Sequence, residues 1–257
     1  MLRHVVATRY VTPLREGGSL PAIVEADDDG LYVVKFRGAA QGPKALVAEV
    51  IVGELARAIG LPVPDLVVVE LDAALADAEP DPEIQQLIRA SGGRNVGLDF
   101  LPGSLTYNPA VAWRPEPELA AGVVWLDGLT TNPDRTAANP NLLVWHGRLW
   151  LIDHGAAMYI HHTWRDPEAH ARRPFERLAD HVLLRHASPI AEADERLAGA
   201  ADAAIEQIVA AVPEDWLPLD EPVGGPDGQR RAYVEYLRTR LAAPRPWVEI
   251  ADRARAA

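Results

Sequence analysis

Three oxygen-bearing side chains fall in one order near the middle of the chain: Asp134, then Asn139, then Asp153 followed by Gly155. Between the last two lie short apolar runs at 142–145 and 149–152, joined by His146-Gly147-Arg148, which is hairpin chemistry. A fold that keeps this order must bring a polar loop, a tight hairpin and the end of a buried strand to one place. Asp134 on the loop is placed to accept a proton or orient a hydroxyl. Asn139 and Asp153 offer an amide oxygen and a carboxylate from opposite walls, a hard donor set that suits magnesium. Any one of the three alone is an ordinary turn or strand-end residue, since Asp and Asn favour turns. The set in sequence points to a site.

The chain around this set divides in two. Residues 1–102 read as a small, mainly antiparallel sheet with one main helix. Runs at 20–26 and 31–37 flank Asp27-Asp28-Asp29-Gly30, a hairpin turn. Pro43 opens an amphipathic helix in which Leu46, Val50, Gly53, Leu55 and Ile59 recur at helical spacing until Gly60 and Pro62 stop it. Strands follow at 67–69 and 96–101, separated by an acidic, proline-marked excursion at 77–83. Turn residues Pro102-Gly103-Ser104 mark the boundary. Residues 103–257 are mainly helical, with helices expected at 116–129, 179–186, 189–212 and 226–241. The fold class is therefore α+β, in two lobes.

Composition narrows the function classes. A formal net charge of -12 argues against a general nucleic-acid binder, because phosphate backbones are held by clustered Lys and Arg. The absence of cysteine excludes disulfides, thiolate metal sites and a cysteine nucleophile. No apolar run approaches the roughly 18 residues that would span a bilayer, and the N-terminal residues carry no secretory pattern. The expected location is cytoplasmic. Adjacent His161 and His162 lack clean ligand spacing and read as structural or surface residues.

Oxygen ligands and a loop carboxylate suit phosphoryl transfer, which asks a protein to hold phosphates, place metals and position an acceptor hydroxyl. The first half supplies matching candidates. Lys35 lies in the strand Tyr32-Val33-Val34-Lys35-Phe36, and Glu49 lies on the helix that follows. A strand lysine paired with a helix glutamate is an arrangement that orients nucleotide phosphates. Either one alone reads as a solvated side chain. Gly17, Gly18 and Ser19 could cover phosphates with backbone amides or could simply form a turn. Backbone groups near Phe100 and Leu101, where a strand enters the lobe junction, are the candidates for adenine.

Val34-Lys35-Phe36, Gly60-Leu61-Pro62-Val63-Pro64, Asn132-x-Asp134-x-x-x-x-Asn139 and Asp153 together resemble the HipA-like kinase family, over residues 10–190. The loop is also similar to phosphoinositide-kinase-type catalytic loops. The resemblance implies a two-lobed, protein-kinase-like fold and an ATP site between lobes. It further implies magnesium dependence and transfer to a protein Ser/Thr or small-molecule alcohol. It assigns Lys35 to phosphate contact, Asp134 to the catalytic base, and Asn139 and Asp153 to metal. Thr136 stands where such loops commonly have His, and His154 stands where an Asp-Phe-Gly has Phe. The chain is shorter than toxin-type members, so their toxin role does not transfer. The competing reading is a nucleotide-binding pseudokinase or regulatory module without transfer. A hydrolase ranks lower, since no Gly-x-Ser-x-Gly elbow is present.

Overall fold

The computed structural model describes residues 2–14, 20–39 and 42–257. Strands β1 (Arg3–Pro13), β2 (Ala22–Ala26), β3 (Leu31–Lys35), β4 (Leu66–Leu71) and β5 (Gly93–Asp99) close into a barrel in the order β1-β2-β3-β5-β4. The expected β2–β3 hairpin is present, with Ala22 opposite Val34 and Glu25 opposite Leu31. The small sheet is not open, however. β1, unassigned in the sequence reading, pairs antiparallel with β2 and parallel with β4, and so removes both free edges.

Side chains on β4 alternate between two apolar cores. Val67, Val69 and Leu71 fill the barrel, while Leu66 and Val68 join the core beneath the helices, as a period of two requires. Both faces are covered, which is why this stretch reads as an unbroken apolar run rather than an alternating one. Gly97 of β5 is needed where the barrel is tightest. A Cβ there would lie 2.6 Å from Val69 Cγ2 and 2.9 Å from Val67 Cγ2.

Helix α1 (Pro43–Ala58) starts with proline in its first turn, where a missing N–H costs nothing. The chain then leaves through Gly60 at φ 80°. From Leu46 to Ala56 almost every side chain is buried, as expected of a helix covered on all sides. The acidic excursion contains α2 (Pro82–Ala90), started by the Asp81 carboxylate accepting the Glu83 N–H at 3.0 Å.

Beyond the barrel, β6 (Leu105–Thr106), β7 (Leu142–Trp145) and β8 (Arg148–Leu151) form a small sheet. The β7–β8 hairpin turns through His146 at φ 49° and Gly147 at φ 73°, a two-residue loop with both φ values positive. The helices are α3 (Pro117–Thr130), α4 (Pro167–Ala171), α5 (Ile190–Ala210), α6 (Pro226–Leu241) and α7 (Pro246–Ala256). The helix expected at 179–186 is instead two 3-10 turns, Glu176–Asp180 and Leu184–His186. Between them His181 forms a β-bridge with Thr136, so the backbone there is committed to the loop after α3. Among the described residues no helix is long and apolar enough to cross a membrane.

Candidate functional site

Lys35 ends β3 and Glu49 lies in the middle of α1, and the structure joins them. Lys35 Nζ donates to Glu49 Oε2 at 2.8 Å and to Asp153 Oδ1 at 2.6 Å. The lysine side chain is 13% exposed, the glutamate 0% and the aspartate 42%, so the cluster is closed behind and open toward Asp153. Burial pulls the Lys35 ammonium down, but Glu49 and Asp153 outweigh it and hold its pKa above the usual lysine value. Lys35 in turn holds the Asp153 carboxyl below the usual range. Burial pushes Glu49 up, with Lys35 opposing. Glu49 Oε2 also accepts the His154 N–H at 2.7 Å. One carboxylate oxygen thereby ties α1 to β3 and to the segment after β8.

Asp153 follows β8 in the left-handed region at φ 57°. Asp134 is half-buried in the loop after α3. Its Oδ2 accepts from Asn141 Nδ2 at 3.2 Å, and its N–H donates to Asn132 Oδ1 at 3.1 Å. No cation pairs with the Asp134 carboxylate among the described residues, which leaves it a candidate proton acceptor.

Asn139 and Asn141 differ sharply. Asn139 is exposed at the loop tip, where its backbone is used in closing the turn on Thr136 at 3.0 and 3.3 Å. Asn141 is 9% exposed, stands immediately before β7 at φ 48°, and points its amide at Asp134. Its carbonyl accepts the Ile152 N–H at 3.1 Å, one residue before Asp153. Hydrogen bonds therefore link Asp134 to Asn141 and Asn141 to the Ile152 backbone, whose next residue, Asp153, pairs with Lys35 and through it with Glu49. Asn141 directly precedes the apolar strand, two residues beyond Asn139.

Beneath this series lies a buried network that sequence reasoning missed. Asp127 on α3 is 0% exposed and accepts from Arg135 Nε at 2.7 Å, His181 Nε2 at 2.9 Å and Asn132 Nδ2 at 3.1 Å. His181 Nδ1 accepts the Leu183 N–H at 3.1 Å, which puts the histidine proton on Nε2. Burial pushes Asp127 up, but Arg135 and His181 together hold its carboxyl well below the usual range. Arg135, 1% exposed, also donates to the Asn141 carbonyl, to the Ile152 carbonyl at 3.4 Å and to His154 Nδ1 at 3.3 Å. One guanidinium thus positions the residues before β7, after β8 and next to Asp153. Burial, reinforced by Arg135, lowers His154 to about 3, so it sits neutral where an apolar side chain was the comparison.

The remaining expectations resolve unevenly. Gly17, Gly18 and Ser19 lie outside the described residues. The Phe100 N–H donates to the Leu31 carbonyl at 2.8 Å, and the Leu101 carbonyl accepts from Ser104 at 3.2 Å. The Phe100 carbonyl and the Leu101 N–H share one planar trans peptide and point opposite ways, so only one of them can face a given ligand. His161 is buried and shares a 3.0 Å hydrogen bond with the Tyr233 hydroxyl, while His162 is exposed. Among the described residues no three His, Asp or Glu side chains form a metal cluster, so a metal here would need amide and phosphate oxygens beside Asp153.

The family model for HipA-like kinases matches residues 8–249 of the chain. Among solved structures, the Helicobacter pylori proinflammatory kinase CtkA is similar at TM-score 0.55 and 11% identity, covering 96% of this chain and 97% of that one. The Golgi casein kinase is similar at TM-score 0.49 and 12% identity, covering 97% and 72%. At 11% identity the likeness to CtkA is one of fold. No curated protein matches the chain.

Proposed function

This chain belongs to the HipA-like kinase family and is a phosphotransferase, and we propose that it moves the γ-phosphate of ATP to a hydroxyl of a protein Ser/Thr or a small-molecule alcohol, with magnesium. The observation that carries this reading is the series of hydrogen bonds that joins Asp134 to Asn141, Asn141 to Ile152 beside Asp153, and Asp153 to Lys35 and through it to Glu49. It brings together a proton acceptor, oxygen donors for a metal and a phosphate-binding ammonium. Residues 1–102 act as the phosphate-binding lobe and 103–257 as the catalytic lobe.

Each group has one task. Lys35 binds the α- and β-phosphates, and Glu49 holds its ammonium in place. Asp153 and Asn141 would hold the metal, with Asn141 taking the place that spacing alone gives to Asn139, because its amide is turned inward and that of Asn139 lies in solvent. Magnesium, when bound, supplies neutralisation of phosphate charge. Asp134 takes the acceptor hydroxyl proton as the new P–O bond forms and the bond to the β-bridging oxygen breaks, releasing ADP. Adenine lies at the end of β5 against the backbone of Phe100 and Leu101.

The test is transfer from labelled ATP with magnesium, using a cell extract as the source of acceptor. Asp153→Ala should abolish transfer, and near-normal turnover in that variant would refute the metal assignment. Asp134→Asn should keep ATP binding and lose on the order of 10² to 10⁴ in rate. A nucleotide-binding pseudokinase would bind ATP and give no labelled product, so product rather than binding decides.

A further inference from the structure

The segment between α5 and α6 makes contacts that its position in sequence does not require. Asp215 pairs with Arg37 at 3.2 Å and with Arg94 at 3.3 Å. The indole of Trp216, 0% exposed, donates to the Arg94 carbonyl at 3.0 Å. Glu221 pairs with Lys44 at 2.6 Å, with side chains only 11% and 17% exposed. The segment is itself anchored to α6, where Gln229 donates to the Pro218 carbonyl at 2.6 Å and Arg230 to the Val212 carbonyl at 3.1 Å.

Its targets are informative. Arg37 lies two residues after Lys35, and Lys44 is in the first turn of α1, the helix that carries Glu49. Lys44 Nζ also donates to the His161 carbonyl at 2.6 Å, in the chain that follows Asp153. A half-buried ion pair of this kind is worth more than a surface pair because less water screens it. The connecting segment therefore grips both elements that bear the Lys35–Glu49 pair, and Lys44 in turn reaches the backbone eight residues after Asp153.

We infer that Glu221 is a positioning residue: through Lys44 it seats the start of α1 so that Glu49 stays on Lys35, with Asp215 bracing the end of β3. This rests on the phosphotransfer reading above, in which Lys35 meets the phosphates.

The experiment is a double-mutant cycle in the full chain. Glu221→Gln should lower kcat about tenfold with little change in the KM for ATP, since displacement of a catalytic group by a fraction of an ångström has effects of this size. In a Glu49→Gln background the same change should have no further effect, because the influence of Glu221 on Lys35 passes through Glu49. An additional tenfold loss there, or Glu221→Gln turnover within twofold of wild type, overturns the proposal. Amide hydrogen exchange provides a readout that does not depend on transfer. Glu221→Gln should speed exchange in the first turns of α1 while the rest of α1 and the barrel stay protected, and unchanged exchange there also overturns it. Asp215→Asn serves as the second variant, with faster exchange expected at the end of β3. If wild type transfers no phosphate, the function assignment fails while the exchange result still judges the positioning of α1.

Discussion

Replacing Arg135 with methionine is the sharpest test of the network under the site. The substitution keeps most of the side-chain volume but leaves the buried Asp127 carboxylate with only His181 and Asn132 as donors. Breaking one side of a buried ion pair costs about 3 to 5 kcal/mol. At about 2 °C per kcal/mol for a chain of this length, the melting temperature should fall by about 6 to 10 °C at pH 8. The loss should also depend on pH. In the native protein burial lowers the His181 pKa, Asp127 raises it and Arg135 lowers it further. Without Arg135 one of the two lowering influences is gone, so the folded pKa of His181 is higher in the variant than in wild type. A histidine whose folded pKa is depressed loses stability as pH falls through its unfolded value, and the less depressed group of the variant loses less. The deficit of the variant relative to wild type should therefore shrink between pH 8 and pH 6, by up to about 1.4 kcal/mol per pH unit. Thermal melts at both pH values decide, together with the Asp127→Asn/Arg135→Met double variant, which should recover part of the loss. A variant that melts within about 2 °C of wild type at pH 8, or a deficit equal at both pH values, would refute the reasoning.

Two further outcomes follow from the same geometry. Lys35→Met and Glu49→Gln should each lower turnover by at least about 10²-fold, the scale of losing one preorganised electrostatic contact, and wild-type turnover in both would remove the phosphate assignment from β3 and α1. Burial lowers the pKa of His161 to about 3, so the unfolded chain binds the extra proton between roughly pH 6.5 and 3. Stability should fall as pH drops through that window, and His161→Gln should flatten the slope of unfolding free energy against pH by about 1.4 kcal/mol per unit; a slope unchanged from wild type shows that His161 takes no part.

How much of this was legible depends on how locally each feature is encoded. Lys35, Glu49 and Asp153 were found because each sits at a recognisable place on a periodic element: a strand end, a helix middle and the close of a hairpin. The β7–β8 hairpin follows from two apolar runs around a turn that tolerates positive φ, and α1 from its spacing and its terminal Gly60. β1 was not assigned, because its closure depends on a parallel partner more than sixty residues away, Arg3 opposite Val67, and no local pattern encodes that pairing. Asn141 was not singled out for a smaller reason. A counted spacing of four residues selects Asn139, while the asparagine that bonds Asp134 lies two residues later. Asp127 and His181 lie on separate elements and are 54 residues apart; each alone looks like a helix or loop residue that water could solvate. Only folding brings His181 to the Asp127 carboxylate that Arg135 also meets, and burial then makes the pairing obligatory. The same holds for Glu221 and Lys44. Lys35 and Asp153 stand at or just beyond strand ends, where sequence patterns reveal them, while Asp127 and His181 meet only in a buried contact between distant segments. A reading of local periodicity therefore recovers the candidate site residues before it recovers what holds them.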